Sequence, residues 1–180
     1  MLRMLILYTA LAAGANMALA GAVNLDAAKA DGLELIAGNG ETVPDTAFTD
    51  PESNEHRLSD YQGQAILLNF WATWCAPCRE EMPALNALQK EYGGDKFQVL
   101  TIASGRNPIP AIEKFFAEQE LDVLPVLLDP RQDLARQFGV LAMPATILID
   151  RDGKEVARLI GPADWVSDAA KAAVSQLKAP

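Results

Sequence analysis

The sequence predicts an α/β domain in which a central mixed β-sheet is covered by helices on both faces. Three observations carry this reading. From residue 65 onward, apolar runs of strand length alternate with segments of helical periodicity, the order expected when strands are joined by crossover helices. The last two apolar runs, 145–149 and 155–160, are instead separated by Asp150-Arg151-Asp152-Gly153, a hairpin signal that makes part of the sheet antiparallel. With 180 residues, half of them hydrophobic, the chain is long enough to bury one sizeable core.

The elements follow in order. Residues 1–20 carry Arg3, an apolar run from Met4 to Ala15 and then Ala18-Leu19-Ala20, the pattern of a signal peptide with a small-residue cleavage site. An uncleaved membrane anchor is the alternative. Residues 21–41, rich in Ala, Gly and Asp, read as a tether, with a poorly structured lead-in up to about Val43, so the folded domain is expected over 42–180. Segments 46–49 and 55–58 flank the turn-rich Asp50-Pro51-Glu52-Ser53-Asn54 and predict an N-terminal β-hairpin. Run 65–71 predicts a buried strand, and a helix follows from the first cysteine, with Met82, Leu85, Leu88 and Tyr92 on one face. Pro83 has no N–H for the Arg79 carbonyl and is expected to kink that helix.

Run 97–103 predicts a further strand and 108–120 a helix, with Ile109, Ile112, Phe115 and Phe116 at helical spacing. A strand at 124–128 is expected to begin or lie at an edge because of Pro125, and a short helix over 131–138 ends before Gly139. The hairpin and an amphipathic helix over 163–177 close the chain.

The formal net charge is −9, and cleavage after residue 20 would remove Arg3 and no acid. An acidic chain of this kind is not expected to bind nucleic acid, whose phosphates demand Lys and Arg. His56 lies in the predicted hairpin, remote in sequence from the cysteines, and reads as an ordinary surface residue.

The chain holds two cysteines, Cys75 and Cys78, placed where the 65–71 strand gives way to a helix. At a helix N-terminus, unpaired backbone N–H groups and the helix dipole favour an anion, and a thiolate is that anion. Thiols in such motifs have pKa values lowered from about 8.5 to roughly 3.5–7.5, and the thiolate is the attacking species. Cys78, one turn further in, is shielded by the helix yet within reach of Cys75. The alternatives are half of a zinc site or a structural bridge. A structural zinc site takes four ligands, and only His56 is left to add. A bridge over so short a loop removes little unfolded-state entropy. The spacing at this junction favours redox exchange, with Cys75 attacking and Cys78 resolving, and needs no cofactor or metal. Trp71 reads as packing, whereas Trp74, beside the attacking sulfur, reads as substrate-contact surface.

These residues carry a resemblance. Trp-Cys-Ala-Pro-Cys at 74–78, Glu81-Met82-Pro83, Met143-Pro144-Ala145-Thr146 and Gly161-Pro162-Ala163-Asp164-Trp165 resemble periplasmic thioredoxin-like proteins of the TlpA/ResA/CcmG type, the TlpA branch above all, over about residues 42–178. The resemblance implies a thioredoxin fold with an N-terminal β-hairpin and an inserted strand-helix element. It implies a cis Pro144 against the disulfide, with the Met143 backbone free to pair with an extended substrate. Trp74, Pro77, Met143 and Pro144 are then the expected substrate-contact residues.

Where thioredoxins carry a buried Asp, this chain has Asn69, which cannot titrate; the carboxylate matching that of the TlpA/ResA branch is Glu81. A partly buried carboxylate beside two thiols should have a raised pKa and suit general-base work. Complementing the helix dipole is its other reading. By the same resemblance the protein is periplasmic, soluble or tethered through residues 1–20. The resemblance implies that it takes electrons from a membrane donor of the thiol-disulfide type and reduces clients with paired cysteines, for copper-site maturation in cytochrome oxidase. The CcmG role in cytochrome c maturation is the rival enzyme reading. A Sco-type copper chaperone is the rival from another class, although that family spaces its cysteines by three residues and adds a histidine after them.

Overall fold

The computed structural model describes residues 23–179, so the expected signal peptide or anchor over 1–20 lies outside the described residues. Among the described residues, eight strands form one sheet. In chain order the elements are α1 (Leu25–Ala30), β1 (Ile36–Ala37), β2 (Phe48–Thr49), β3 (Glu55–His56), β4 (Ala65–Trp71), α2 (Ala76–Tyr92), β5 (Phe97–Ser104), α3 (Ile109–Glu118), β6 (Leu127–Asp129), α4 (Asp133–Gln137), β7 (Ala145–Ile149), β8 (Glu155–Ile160) and α5 (Asp168–Leu177), with a 3-10 turn at Leu58–Tyr61. The strand order is β1-β8-β7-β4-β5-β6-β2-β3. β4, β5 and β6 are parallel, and the outer pairs β4–β7, β7–β8, β1–β8, β2–β6 and β2–β3 are antiparallel.

Every residue of β4 is buried because both faces of the sheet are covered, which is why its sequence is a continuous apolar run. Leu67 and Trp71 face the core built with α2, α3 and α5, through Met82, Leu85, Leu88, Ile112, Phe115 and Val174. Ile66, Leu68 and Phe70 face the other core, closed by α4 and the 3-10 turn through Leu134, Phe138 and Leu58. The two rightward crossovers β4–α2–β5 and β5–α3–β6 thus lie on one face, as the preferred crossover hand requires.

One polar residue interrupts the apolar β4. Asn69 is in register with Thr101 of β5 and Thr146 of β7, and all three are fully buried. The β7–β8 turn is set by Asp150, whose Oδ1 accepts from the Asp152 and Lys154 N–H groups (3.0 and 2.9 Å), and by Gly153 at φ 76°.

Three sequence expectations need correction. Residues 21–41 are not simply a tether: α1 and β1 lie there. Asn24 Oδ1 accepts from the Ala27 N–H (3.0 Å) to start α1, Leu33 and Leu35 are buried, and β1 pairs with β8 as the outermost strand on that side of the sheet. The alanine content that reads as a linker lets α1 pack closely on α5, with Ala28, Ala169 and Ala173 all buried. The last helix begins at Asp168, not 163, because Ser167 caps it by accepting from the Ala170 N–H, leaving 163–167 as a loop. β6 begins at Leu127, past Pro125, because proline gives a strand ladder no N–H. α2, by contrast, runs continuously through Pro83.

Candidate active site

β4 ends at Trp71, and a short loop, Ala72 to Trp74, carries the chain to Cys75 at the N-cap of α2. Proline near the helix start is preset for the first turn, where its missing N–H costs nothing; Pro77 sits there, half-buried. Cys75 and Cys78 are joined in a disulfide, with Cα atoms 5.3 Å apart. Cys78 is fully buried and Cys75 7% exposed, so the outer sulfur belongs to Cys75. That sulfur lies 3.8 Å from the carbonyl oxygen of Met143. The Met143–Pro144 bond is cis, and Pro144 is buried at the start of β7.

A groove of about 360 Å³ opens beside the disulfide, lined by Trp74, Val140, Leu141, Met143, Gln132 and Arg136 among others. Trp74 is 66% exposed and Leu141 98% exposed, so this rim offers two large apolar side chains to solvent. Trp74 and Met143, both expected from the sequence to contact substrate, are thus brought to one groove, while Pro77 and Pro144 are not among its lining residues.

The loop before Cys75 is pinned from outside. The backbone N–H and the hydroxyl of Thr73 both donate to Asn107 Oδ1, at 2.8 and 3.0 Å. Asn107 Nδ2 in turn donates to the carbonyls of Ser104 and Gly105, at 3.0 and 3.3 Å. The Asn107 latch has no local sequence signal, since its partner Thr73 is 34 residues away. Trp71, as expected, is core: it packs on Phe115 and Phe116 at centroid distances of 5.6 and 5.9 Å. Arg79 lies over the Phe115 ring, its Cζ 4.9 Å from the centroid.

Behind the cysteines lies Glu81, 4% exposed. Its Oε1 accepts from Asn69 Nδ2 at 2.8 Å, and its Oε2 accepts from the Ala163 N–H and from Trp165 Nε1, both at 3.1 Å. Asn69 Nδ2 also donates to Thr146 Oγ1 at 3.0 Å. Burial pushes the Glu81 carboxyl above its ordinary value, opposed by the hydrogen bonds from Ala163, Asn69 and Trp165. The Gly161-Pro162-Ala163-Asp164-Trp165 segment therefore grips this carboxylate. His56 stays in its hairpin, with Nε2 3.3 Å from Asp50 Oδ2 and its ring stacked on Phe48.

Comparison with known proteins places this arrangement. Residues 38–173 match the Redoxin family. The chain is 41% identical over 115 residues to thiol-disulfide oxidoreductase ResA of Geobacillus thermodenitrificans, covering 64% of this chain and 65% of that protein. It is 40% identical over 121 residues to ResA of Geobacillus kaustophilus, covering 67% and 68%. The chain thus spans about two thirds of the length of these relatives. Among solved structures, one described as a thiol:disulfide interchange protein DsbE from Chlorobium tepidum superposes with a TM-score of 0.69 at 30% identity, covering 79% of this chain and 98% of that one. The exposed lipoprotein thioredoxin of Streptococcus pneumoniae superposes with a TM-score of 0.62 at 31% identity, covering 75% and 98%.

Proposed function

Because the chain belongs to the Redoxin family, with the thioredoxin fold and in the ResA-type thiol-disulfide oxidoreductase branch, we propose that it is an exported reductase of disulfides in client proteins. The observation that carries the reading is the pair itself: a disulfide at a helix N-terminus, its outer sulfur beside the Met143 carbonyl and its inner sulfur buried.

The exchange runs in two displacements. Reduced Cys75, a thiolate favoured by the N-terminus of α2, attacks one sulfur of a client disulfide. A Cys75–client mixed disulfide forms, and the other client sulfur leaves as a thiolate. Cys78 then gives its proton to Glu81 and attacks Cys75, forming the Cys75–Cys78 disulfide and expelling the second client sulfur. Two electrons pass to the client, and its two thiolates take up protons from Glu81 and solvent. The i, i+3 spacing on α2 supports Glu81 as acceptor, since it puts Cys78 and Glu81 on one side of the helix, both buried. An acceptor with a raised pKa is matched to a thiol near neutral pH.

Client contact is assigned to Trp74, Pro77, Met143 and Pro144. The exposed apolar rim supports this for Trp74 and Met143, and the Met143 carbonyl oxygen, 3.8 Å from the outer sulfur, supports it for Met143 and the adjoining Pro144. The pattern of residues 1–20 supports export to the periplasm, free or tethered. The TlpA resemblance supports a membrane thiol-disulfide donor and clients in cytochrome oxidase copper-site maturation.

The experiment is trapping. Cys78→Ser leaves the mixed disulfide without its internal resolving thiol, so it is expected to capture exported copper-handling proteins with paired cysteines, which bind metal only as thiolates. Capture of haem-attachment proteins with Cys-x-x-Cys-His motifs would assign the cytochrome c role instead. A mixed disulfide formed equally well by Cys75→Ser would overturn the assignment of attack to Cys75.

A further inference from the structure

The surroundings of Glu81 are one-sided. Asn69 Nδ2, the Ala163 amide and Trp165 Nε1 all donate to it. Those bonds suit a carboxylate, which only accepts, whereas a carboxyl group that has taken a proton has an O–H to place. A backbone N–H and an indole N–H cannot accept it. The network holds one unused acceptor: Asn69 Oδ1 is buried and, among the described residues, has no hydrogen-bond partner. Leaving a buried amide oxygen unpaired is destabilising, and here it lies on the side chain that already touches Glu81.

The two ends of a carboxamide are nearly the same size, so a half-turn about its Cβ–Cγ bond exchanges donor for acceptor without repacking. Thr146 can follow that turn. Its Oγ1 accepts from Asn69 Nδ2 at 3.0 Å, and a hydroxyl can instead donate by rotating its hydrogen. In one orientation Oδ1 is unpaired and in the other Nδ2 is, so neither has a large advantage and the proton on Glu81 decides between them.

We propose that Asn69 is a positioning residue that turns with the protonation of Glu81: Nδ2 faces the carboxylate, and Oδ1 accepts from the protonated carboxyl and from Thr146. The inference rests on Glu81 accepting the proton of Cys78. The step is Cys78 S–H plus Glu81 carboxylate giving Cys78 thiolate plus Glu81 carboxyl, with no electrons moved. The turned amide then stabilises the acid just formed, where a fixed donor would oppose it.

The charges around the pair are few. α2 contributes Cys78, β4 contributes Asn69, β7 contributes Thr146, and the 161–167 loop contributes the Ala163 amide and the Trp165 indole. Asp164, in that loop, is exposed and its Oδ1 accepts from the Val166 N–H. Among the described residues no charged side chain hydrogen-bonds Glu81.

The test is an NMR titration of the reduced, ¹⁵N-labelled full chain from acid to mildly alkaline pH. The Asn69 side-chain amide and the Trp165 indole N–H are expected to titrate with one midpoint. Contacts from the Asn69 NH₂ protons to the Thr146 side chain are expected above that midpoint and lost below it. In Glu81→Gln both signals should stay flat with pH. If Trp165 titrates while the Asn69 contacts persist at all pH values, the inference fails and the role of Glu81 stands. If neither signal titrates, Glu81 takes no proton and both fail. Asn69→Leu adds a kinetic arm. Resolution by Cys78 should slow by about 10²-fold, the lower end of what a positioned base contributes, while alkylation of Cys75 barely changes. Equal slowing of both steps would contradict the proposal.

Discussion

At the scale of single residues, the proposed function divides the site into an outer group assigned to the client, Trp74, Met143 and Cys75, and a buried inner group assigned to proton transfer, Cys78 and Glu81. Cys75→Ser is expected to abolish turnover of an Ellman-type disulfide, and Cys78→Ser to retain the first attack but not release, as read by stopped mixed-disulfide formation on a gel. Glu81→Gln should slow release by about 10²-fold or more, the usual range for a positioned acid or base, measured by single-turnover kinetics. Its stability carries a sign as well. Burial raises the folded-state pKa of Glu81 above its ordinary value of 4.5, so the folded protein holds this proton more tightly than the unfolded chain. The contribution is present in full below the ordinary value and is lost as pH rises through the folded value. Wild type should therefore lose stability relative to Glu81→Gln over that window, as urea midpoints will show.

Cys75, Cys78 and Trp74 are read as site residues because they lie in the motif and their chemistry follows from residue type, whereas the role read for Glu81 comes from the resemblance to the TlpA/ResA branch. Asn69 was legible only as the place where a titrating residue is missing; its partners are Glu81 on α2 and Thr146 on β7, 77 residues away. Asn107 was invisible, being an unremarked Asn in a Gly-Arg-Asn-Pro loop whose role depends on β5 ending beside the Thr73 loop. Asn107→Ala should cost about 1–3 kcal/mol by leaving the Thr73 N–H unpaired, as thermal or urea unfolding will measure.

Secondary-structure elements follow the same division between local and distant causes. β4, β7 and β8 match their predicted spans because a strand buried between two helical layers is written as a continuous or alternating apolar run with clear turns at its ends. α1 and β1 were missed because an Ala-, Gly- and Asp-rich segment carries little hydrophobic pattern, and its order comes from the α5 face and the β8 edge that receive it. A chain starting at residue 42 should therefore fold but melt lower. It loses buried Leu33 and Leu35, each worth about 1.5–3 kcal/mol of burial before the entropy of ordering the segment is subtracted. An unchanged melting temperature would mean that α1 and β1 are not held to the domain. In α5, Ser167→Ala removes the cap and is expected to cost about 1 kcal/mol, again by unfolding.

For the whole molecule, the sheet order explains why the site is where it is. β4 lies at the centre of the sheet, flanked by β5 and β7, so its C-terminal end brings together the α2 N-terminus, the Met143–Pro144 turn that enters β7 and the β5–α3 loop holding Asn107. Residues from four separate stretches of chain thus converge on two sulfurs, with one side open to a client and the other sealed by Glu81 and Trp165. That division fits a thiol-disulfide exchange enzyme, and the reducing direction proposed for it depends on the stability of its own disulfide. The reduction potential of the Cys75–Cys78 pair, measured in a glutathione or dithiothreitol redox buffer, tests this most directly. The account predicts a value on the reducing side, towards the about −270 mV of thioredoxin, and a value near the about −120 mV of a strong dithiol oxidant would contradict it.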